Sequence, residues 1–286
     1  MKAAQFDYVK PKTLSEALDL LVEAGDDARL MAGGQTLLAT LNMRLSEPSI
    51  LIDITGIAEL KGISVQGESL RIGALVTHTE IEDSDLVAKH APLLKLAVPH
   101  IAHRAIRNLG TWGGSLAYGD PAAEWPACSI TLQATMIIRG PSGERRIGAE
   151  DFFIDLYTTS LEPDEILVAT EIPIASKDQI SYFNELARRH GDYAVAGIAA
   201  VAKKSGDVLR DCVFTFFSVG ATPVVATKAQ ALIDGQELND QLIKEAVEIA
   251  RSEIEAIADL TNSAEAKQHL IGVLLERCLK DMLAQR

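Results

Sequence analysis

Apolar positions along this chain follow a helical spacing in some stretches and a strand-like one in others. Leu14, Ala17, Leu18 and Leu21 form a helical stripe. Thr13 with Glu16 makes a capping-box pattern ahead of it, and Gly25 stands where it should stop. A short strand is expected over 29–32, a helix over 37–44 and a buried strand over 50–54. Together they make a βαβ-like lobe over residues 1–55. A second lobe, 56–176, opens with short strands at 63–65 and 70–72 around a turn at 66–69. Helices are expected after a Thr79/Glu82 cap, over 92–105, and over 122–132 with Pro121 at its first position. Strands are expected over 134–139 and 166–172, and Pro173 with 175–178 reads as a linker. The third lobe, 177–286, carries long apolar strands over 194–204 and 208–219 joined by a turn at 204–207. Helices over 224–233, 239–257 and 264–283 follow. Leu270, Leu274, Cys278 and Leu279 share a face of the last helix, which is the spacing of core packing.

Composition narrows the function classes. The chain has 286 residues, 48% hydrophobic and 23% charged, as in an ordinary globular protein. A net charge of −13 argues against a nucleic-acid binder, which usually carries a basic patch. No apolar run approaches the roughly 20 residues that span a bilayer. Residues 1–7 lack the apolar core of a signal peptide. Cys128, Cys212 and Cys278 are far apart, with no metal-ligand spacing and no even-numbered disulfide framework. A cytoplasmic setting is therefore expected. Iron–sulfur clusters are usually held by four cysteines, so none is expected in this chain.

Two glycine-rich segments change this picture. In Ile106–Ser115 the residues Gly110, Gly113 and Gly114 bare the backbone, with Thr111 and Ser115 as small hydroxyls beside them. Such a loop forms either a tight turn or a concave nest of N–H groups suited to phosphate. The second segment, Ala32-Gly33-Gly34-Gln35-Thr36, lies between an expected strand and an expected helix. That order aims free amides and a helix dipole at an anion. The loops lie about 80 residues apart and are placed to hold the two phosphates of one dinucleotide from opposite sides. Neither is a G-x-G-x-x-G fingerprint, and there is no P-loop.

Residues 32–36 resemble the Ala-Gly-Gly-x-Ser/Thr motif of the FAD-binding subunit of molybdenum hydroxylases. Residues 107–114 resemble that family's Arg-Asn-x-Gly-Thr-x-Gly-Gly motif and include Asn108. The group includes the medium subunit of carbon monoxide dehydrogenase and the FAD domain of xanthine dehydrogenase. The resemblance covers nearly the whole chain. It implies an α+β fold with a two-lobed FAD-binding domain of the vanillyl-alcohol-oxidase-like (PCMH) type, plus a C-terminal sheet-and-helix domain. It also implies an electron-transfer role. FAD would lie on this chain, a molybdopterin cofactor and [2Fe-2S] clusters on partner chains. Those partners would be a small iron–sulfur subunit and a large molybdenum subunit, assembled as a dimer of heterotrimers.

The resemblance assigns further residues. The family places an aspartate, accepting from the ribityl hydroxyls, where Glu124 stands here; Asp120 lies just before it, and both also suit a helix N-terminus. Thr77 and His78 fall in a segment like the family's Gly-Ala-x-x-Thr pattern, near the flavin. Ile166 and Leu167 sit where relatives line the adenine or ring pocket. Residues 187–194 resemble the segment that approaches the isoalloxazine, where Tyr193 either stacks on the ring or is a buried core tyrosine. Asn184 replaces a common family lysine. His100 and His103, three apart on the expected helix, fit a metal site or a structural pair; no third ligand stands out, so the structural pair is expected. No acid/base constellation emerges, so the organic chemistry falls to the flavin. The alternative is a self-sufficient FAD-dependent oxidase or reductase of the same superfamily.

Overall fold

The computed structural model describes residues 2–285. Three larger sheets follow one another along the chain, and Phe153–Asp155 pairs with Thr158–Thr159 in a small fourth. The first is parallel, with Ile50–Asp53 between Asp7–Val9 and Ala28–Met31. The second is antiparallel and five-stranded, in the order Ile63–Gln66, Ser69–Gly73, Ile166–Pro173, Thr135–Gly140, Gly143–Gly148. The third is antiparallel and four-stranded, running from Gln179–Leu186 through Ala196–Ser205 and Val208–Phe217 to Val224–Val225.

The parallel sheet does not close a core of its own. Leu14, Ala17 and Leu21 of the helix Leu14–Ala24 pack in one cluster with Ile137, Ile166 and Val168 of the second sheet. The other face of that sheet packs under Trp112, Trp125 and Phe152 in a larger cluster that also takes in Phe183, Ala199 and Phe217 of the third sheet. The third sheet's opposite face carries the helices Asp240–Glu253 and Ala264–Ala284, with Leu274, Leu275 and Cys278 fully buried. Both faces of the third sheet are therefore covered. Its first strand alternates accordingly, with Tyr182 in one cluster and Phe183 in the other.

Several expected elements are corrected. The helix expected over 92–105 is broken into Pro92–Ala97, a 3-10 turn Val98–His100 and a short helix Arg104–Arg107. Pro99 sits in the 3-10 turn, and Ala102 has φ 43°, which no right-handed helix accommodates. His100 and His103 consequently share no helical face. The cap expected at Thr79/Glu82 lies two residues earlier: Thr77 and Glu80 form the reciprocal capping box of His78–Asp83. Trp112–Tyr118, expected as loop, is a helix, and the next helix is Glu124–Thr131 with Pro121 outside it. Residues 224–225 are strand, and the helix begins at Thr227. The helix expected to end at 257 ends at Glu253. Residues 179–186, near the expected start of the third lobe and given no element there, are a full strand.

Candidate functional site

The strand Ala28–Met31 delivers the first glycine loop to the edge of a cavity of about 800 Å³, near the upper end of the range for ligand pockets. Gly34 takes φ 70°, a conformation that favours glycine. Among the described residues, the amides of Gly33, Gly34, Gln35 and Thr36 donate to no main-chain carbonyl. The loop is held from within instead, by Gln35 Nε2 donating to the Gly33 carbonyl at 3.0 Å.

The second loop forms the facing wall in a different way. Thr111 caps the helix Trp112–Tyr118, its hydroxyl accepting from Gly114 N at 3.1 Å. Trp112 N donates to Val76 O at 2.8 Å, Gly113 N to Ala74 O at 2.9 Å and Ser115 N to Thr111 O at 3.1 Å. The amides at 113–115 therefore already have partners within the protein. The glycines here serve close packing. A Cβ on Gly113 would lie 2.4 Å from that of Ala74. The loops also touch each other, since a Cβ on Gly33 would lie 1.9 Å from the Leu109 carbonyl oxygen. Trp112 anchors this wall, fully buried, with its indole N–H donating to Thr170 Oγ1 at 2.9 Å.

His78 backs the same wall. Trp125 Nε1 donates to its Nδ1 at 3.0 Å. Burial, reinforced by Arg107, brings its pKa down to about 4, so it stands neutral at physiological pH. Asp120 and Glu124, each 8% exposed, border the cavity. Burial pushes Glu124 up to about 8, with repulsion from Glu185 next, and burial also raises Asp120. Tyr193 is 60% exposed and lines the cavity, so it is not a core tyrosine. Desolvation of its phenol and the nearby Asp120 and Glu124 raise its pKa.

One junction ties these walls to the third sheet. Ser218, in the left-handed region at φ 60°, donates from N to Pro121 O at 2.7 Å and from Oγ to Ala194 O at 2.6 Å. Its own carbonyl accepts from the buried Lys267 at 2.7 Å, and Lys267 pairs with Asp259 at 2.9 Å. The acidic turn and the Tyr193 segment are thereby fixed to one residue.

The cavity brings together Ala32, Gly33, Gly34, Gln35, Thr36, His78, Gly110, Thr111, Gly113, Gly114, Ser115, Asp120, Glu124, Ile166, Leu167 and Tyr193. Thr77 and Asn108 do not line it. Thr77 is occupied as a helix cap, and Asn108 Oδ1 accepts from Thr79 at 2.9 Å on the exposed side. Sequence reasoning missed Tyr118 and Tyr157, whose rings meet at 5.3 Å, and Ile101 and Ala102 on the broken helix. No local motif marks them. Among the described residues no group of three or more His, Cys, Asp or Glu gathers to hold a metal ion, and no helix is long and apolar enough to cross a membrane.

Residues 4–175 match the family described as FAD binding domain in molybdopterin dehydrogenase, and residues 181–282 the CO dehydrogenase flavoprotein C-terminal domain. The chain is 36% identical over 279 residues to the nicotine 6-hydroxylase medium subunit of Paenarthrobacter nicotinovorans, covering 98% of each. It is 34% identical to the carbon monoxide dehydrogenase medium chain of Hydrogenophaga pseudoflava, covering 96% of each. Its fold superposes on a solved carbon monoxide dehydrogenase from H. pseudoflava with a TM-score of 0.96 at 35% identity and 99% coverage of both chains. Quinoline 2-oxidoreductase from Pseudomonas putida 86 gives 0.94 at 36% identity, again covering 99% of both.

Proposed function

The chain belongs to the family of FAD-binding subunits of molybdopterin dehydrogenases, and from that premise we propose that its cavity seats FAD as an electron relay between partner subunits and an outside acceptor. The observation that carries this reading is the pair of opposed walls: four amides without carbonyl partners on one side, a capped and anchored helix on the other. The free amides of 33–36 would receive pyrophosphate oxygens. Thr36 and Ser115 would add hydroxyl donors, while Thr111 is kept to its cap. Tyr193, at the open rim, would cover one face of the isoalloxazine. His78, kept neutral by burial and by Arg107, adds no charge to the wall. The bound flavin supplies hydride and single-electron chemistry that no side chain here can.

In this reading an iron–sulfur subunit delivers the electrons and a molybdenum subunit oxidises the organic substrate, the three pairing into a dimer of heterotrimers. Relatives described as medium chains of carbon monoxide dehydrogenase and medium subunit of nicotine 6-hydroxylase support such an assembly. The three buried cysteines are unpaired, in keeping with a cytoplasmic setting. The test is to express the chain alone with FAD, confirm loading by absorbance, and assay aldehydes, purines and other N-heterocycles. Only slow exchange with artificial acceptors is expected. Turnover on the order of 1 per second or faster without partners would overturn the relay in favour of the self-sufficient oxidase.

A further inference from the structure

His78 lines the cavity with one ring nitrogen committed and the other free. Its main chain is tied to the second loop, His78 N donating to Gly110 O at 3.0 Å. The residue is 6% exposed. Trp125 is fully buried, its ring 5.8 Å from the imidazole and 5.0 Å from that of Trp112. The Trp125 indole N–H donates to His78 Nδ1 at 3.0 Å. An indole nitrogen only donates, so Nδ1 must present a lone pair to it. A neutral imidazole then carries its one proton on Nε2. A second proton would sit on Nδ1 and break the bond to Trp125. Burial and then Arg107 oppose that proton too, bringing the pKa down to about 4.

The Nε2–H has no acceptor among the described residues. Nor is it sealed in. The buried side-chain polar atoms left without partners there are Ser160 Oγ, Ser181 Oγ, Glu185 Oε2 and Arg251 Nε, and a closed-off His78 Nε2 would be one of them. It opens where Gly110 lacks a side chain: a Cβ on Gly110 would lie 2.7 Å from Nε2. Gly110 in turn abuts the first loop, since a Cβ on Gly33 would lie 2.9 Å from the Gly110 Cα. One glycine thus separates the free ring donor from the loop of open amides.

Cations are scarce around this donor. Arg29 is the only lysine or arginine among the described residues that line the cavity. Its Nη1 donates to the carbonyls of Asp26 and Ala28 at 3.0 and 2.7 Å. Asp120, Glu124, Glu165 and Asp192 line the same cavity. A phosphate seated here is therefore held mainly by neutral N–H groups.

We propose that the Nε2–H of His78 is a fixed neutral donor to the diphosphate of the bound dinucleotide, its proton placed there by Trp125 and its approach left open by Gly110. Trp125 does not line the cavity, so it acts as a positioning residue through His78. The ligand rests on the FAD reading, whereas the tautomer is a property of the empty chain.

The tautomer is read in the flavin-free chain by nuclear magnetic resonance near neutral pH, with histidine labelled at its ring nitrogens. Wild type should show the Nε2–H form alone at His78, assigned by the resonances missing from His78→Gln. In Trp125→Phe the Nδ1–H form should appear beside it. An Nδ1–H form in wild type overturns the proton's placement, and a pure Nε2–H form in Trp125→Phe overturns the part given to Trp125. Three probes then locate the acceptor. FAD and ADP should move the Nε2–H proton resonance downfield and slow its exchange with water, and riboflavin, which lacks phosphate, should do neither. A response to riboflavin and none to ADP overturns the diphosphate assignment. Fluorescence titration of the folded variants with FAD gives a second readout. His78→Leu loses both acceptor and donor, and should bind FAD about tenfold more weakly or worse. His78→Gln keeps an oxygen for Trp125 and an N–H for the ligand, and should stay within about threefold of wild type. Equal affinities in the two variants overturn the donor role. A chain that keeps the Nε2–H form and binds no FAD counts against the flavin reading alone.

Discussion

The loops 32–36 and 110–115 share a composition and border one cavity, but their main chains are used in opposite ways. In the first, four successive amides stay free of carbonyl partners, and a side chain, Gln35, holds the turn. In the second, the amides of Gly110, Trp112, Gly113, Gly114 and Ser115 are all spent, on Ile106, Val76, Ala74, Thr111 Oγ1 and Thr111 O. The first loop leaves its donors open, and the second is fixed by its own main chain. Glycine gives room for close approach in both loops, at Gly33 beside Leu109 and at Gly113 beside Ala74, but only the first loop leaves its amides open. A motif match alone does not separate these roles; the destination of each N–H does.

Substitutions can break this comparison. The largest effect is expected at Gly33, where the loops meet. Gly33→Ala would drive a Cβ to 1.9 Å from the Leu109 carbonyl. Because backbone atoms on both sides must shift, a loss of about 3 kcal/mol or more is expected in urea unfolding of the flavin-free chain, together with loss of FAD on gel filtration. If Gly33→Ala keeps wild-type stability and flavin content, the interlocking of the loops is wrong. Thr111→Val comes next. It removes the acceptor for Gly114 N, and should cost about 1–2 kcal/mol of stability. Because this wall holds shape and donates little, FAD affinity measured under strongly native conditions should stay within a few-fold. An affinity loss larger than the stability loss would erase the distinction between the walls. Gln35→Ala should show the reverse pattern. Flavin-free stability should change by less than about 0.5 kcal/mol, while FAD affinity, read by fluorescence titration, falls several-fold because the amides are no longer held in register. An unchanged affinity would show that the first loop needs no internal brace.

Much of the architecture was legible from local chemistry. Ser263 caps a long helix whose apolar positions keep one period through Met282, and Ala264–Ala284 forms as expected. Thr13 caps Leu14–Ala24 through Glu16 N, and Gly25 ends that helix at φ 55°. What escaped depends on tertiary partners. The helix Trp112–Tyr118 contains Gly113 and Gly114, poor helix formers, and exists because Thr111 caps it and Trp112 is pinned to Thr170 and Val76. The strand Gln179–Leu186 was hidden because Ser181, Asn184 and Glu185 interrupt its apolar alternation, although Tyr182 and Phe183 each enter a different core. At the site, the paired loops were visible as motifs. Tyr118 and Tyr157 were not, because their rings meet only through the approach of distant segments.

Ser218 lies on the third sheet's side of the molecule, yet its N–H and hydroxyl hold Pro121 and Ala194, and its carbonyl holds Lys267. A ligand that pins the acidic turn and the Tyr193 segment also narrows the freedom of this one residue, and through Lys267 that of Asp259 and the bend leading to the last helix. Occupancy of the cavity therefore has a remote reporter: amide hydrogen exchange over residues 255–263 should slow when flavin is bound, by a factor that disappears in Lys267→Met while exchange at residues 32–36 still responds.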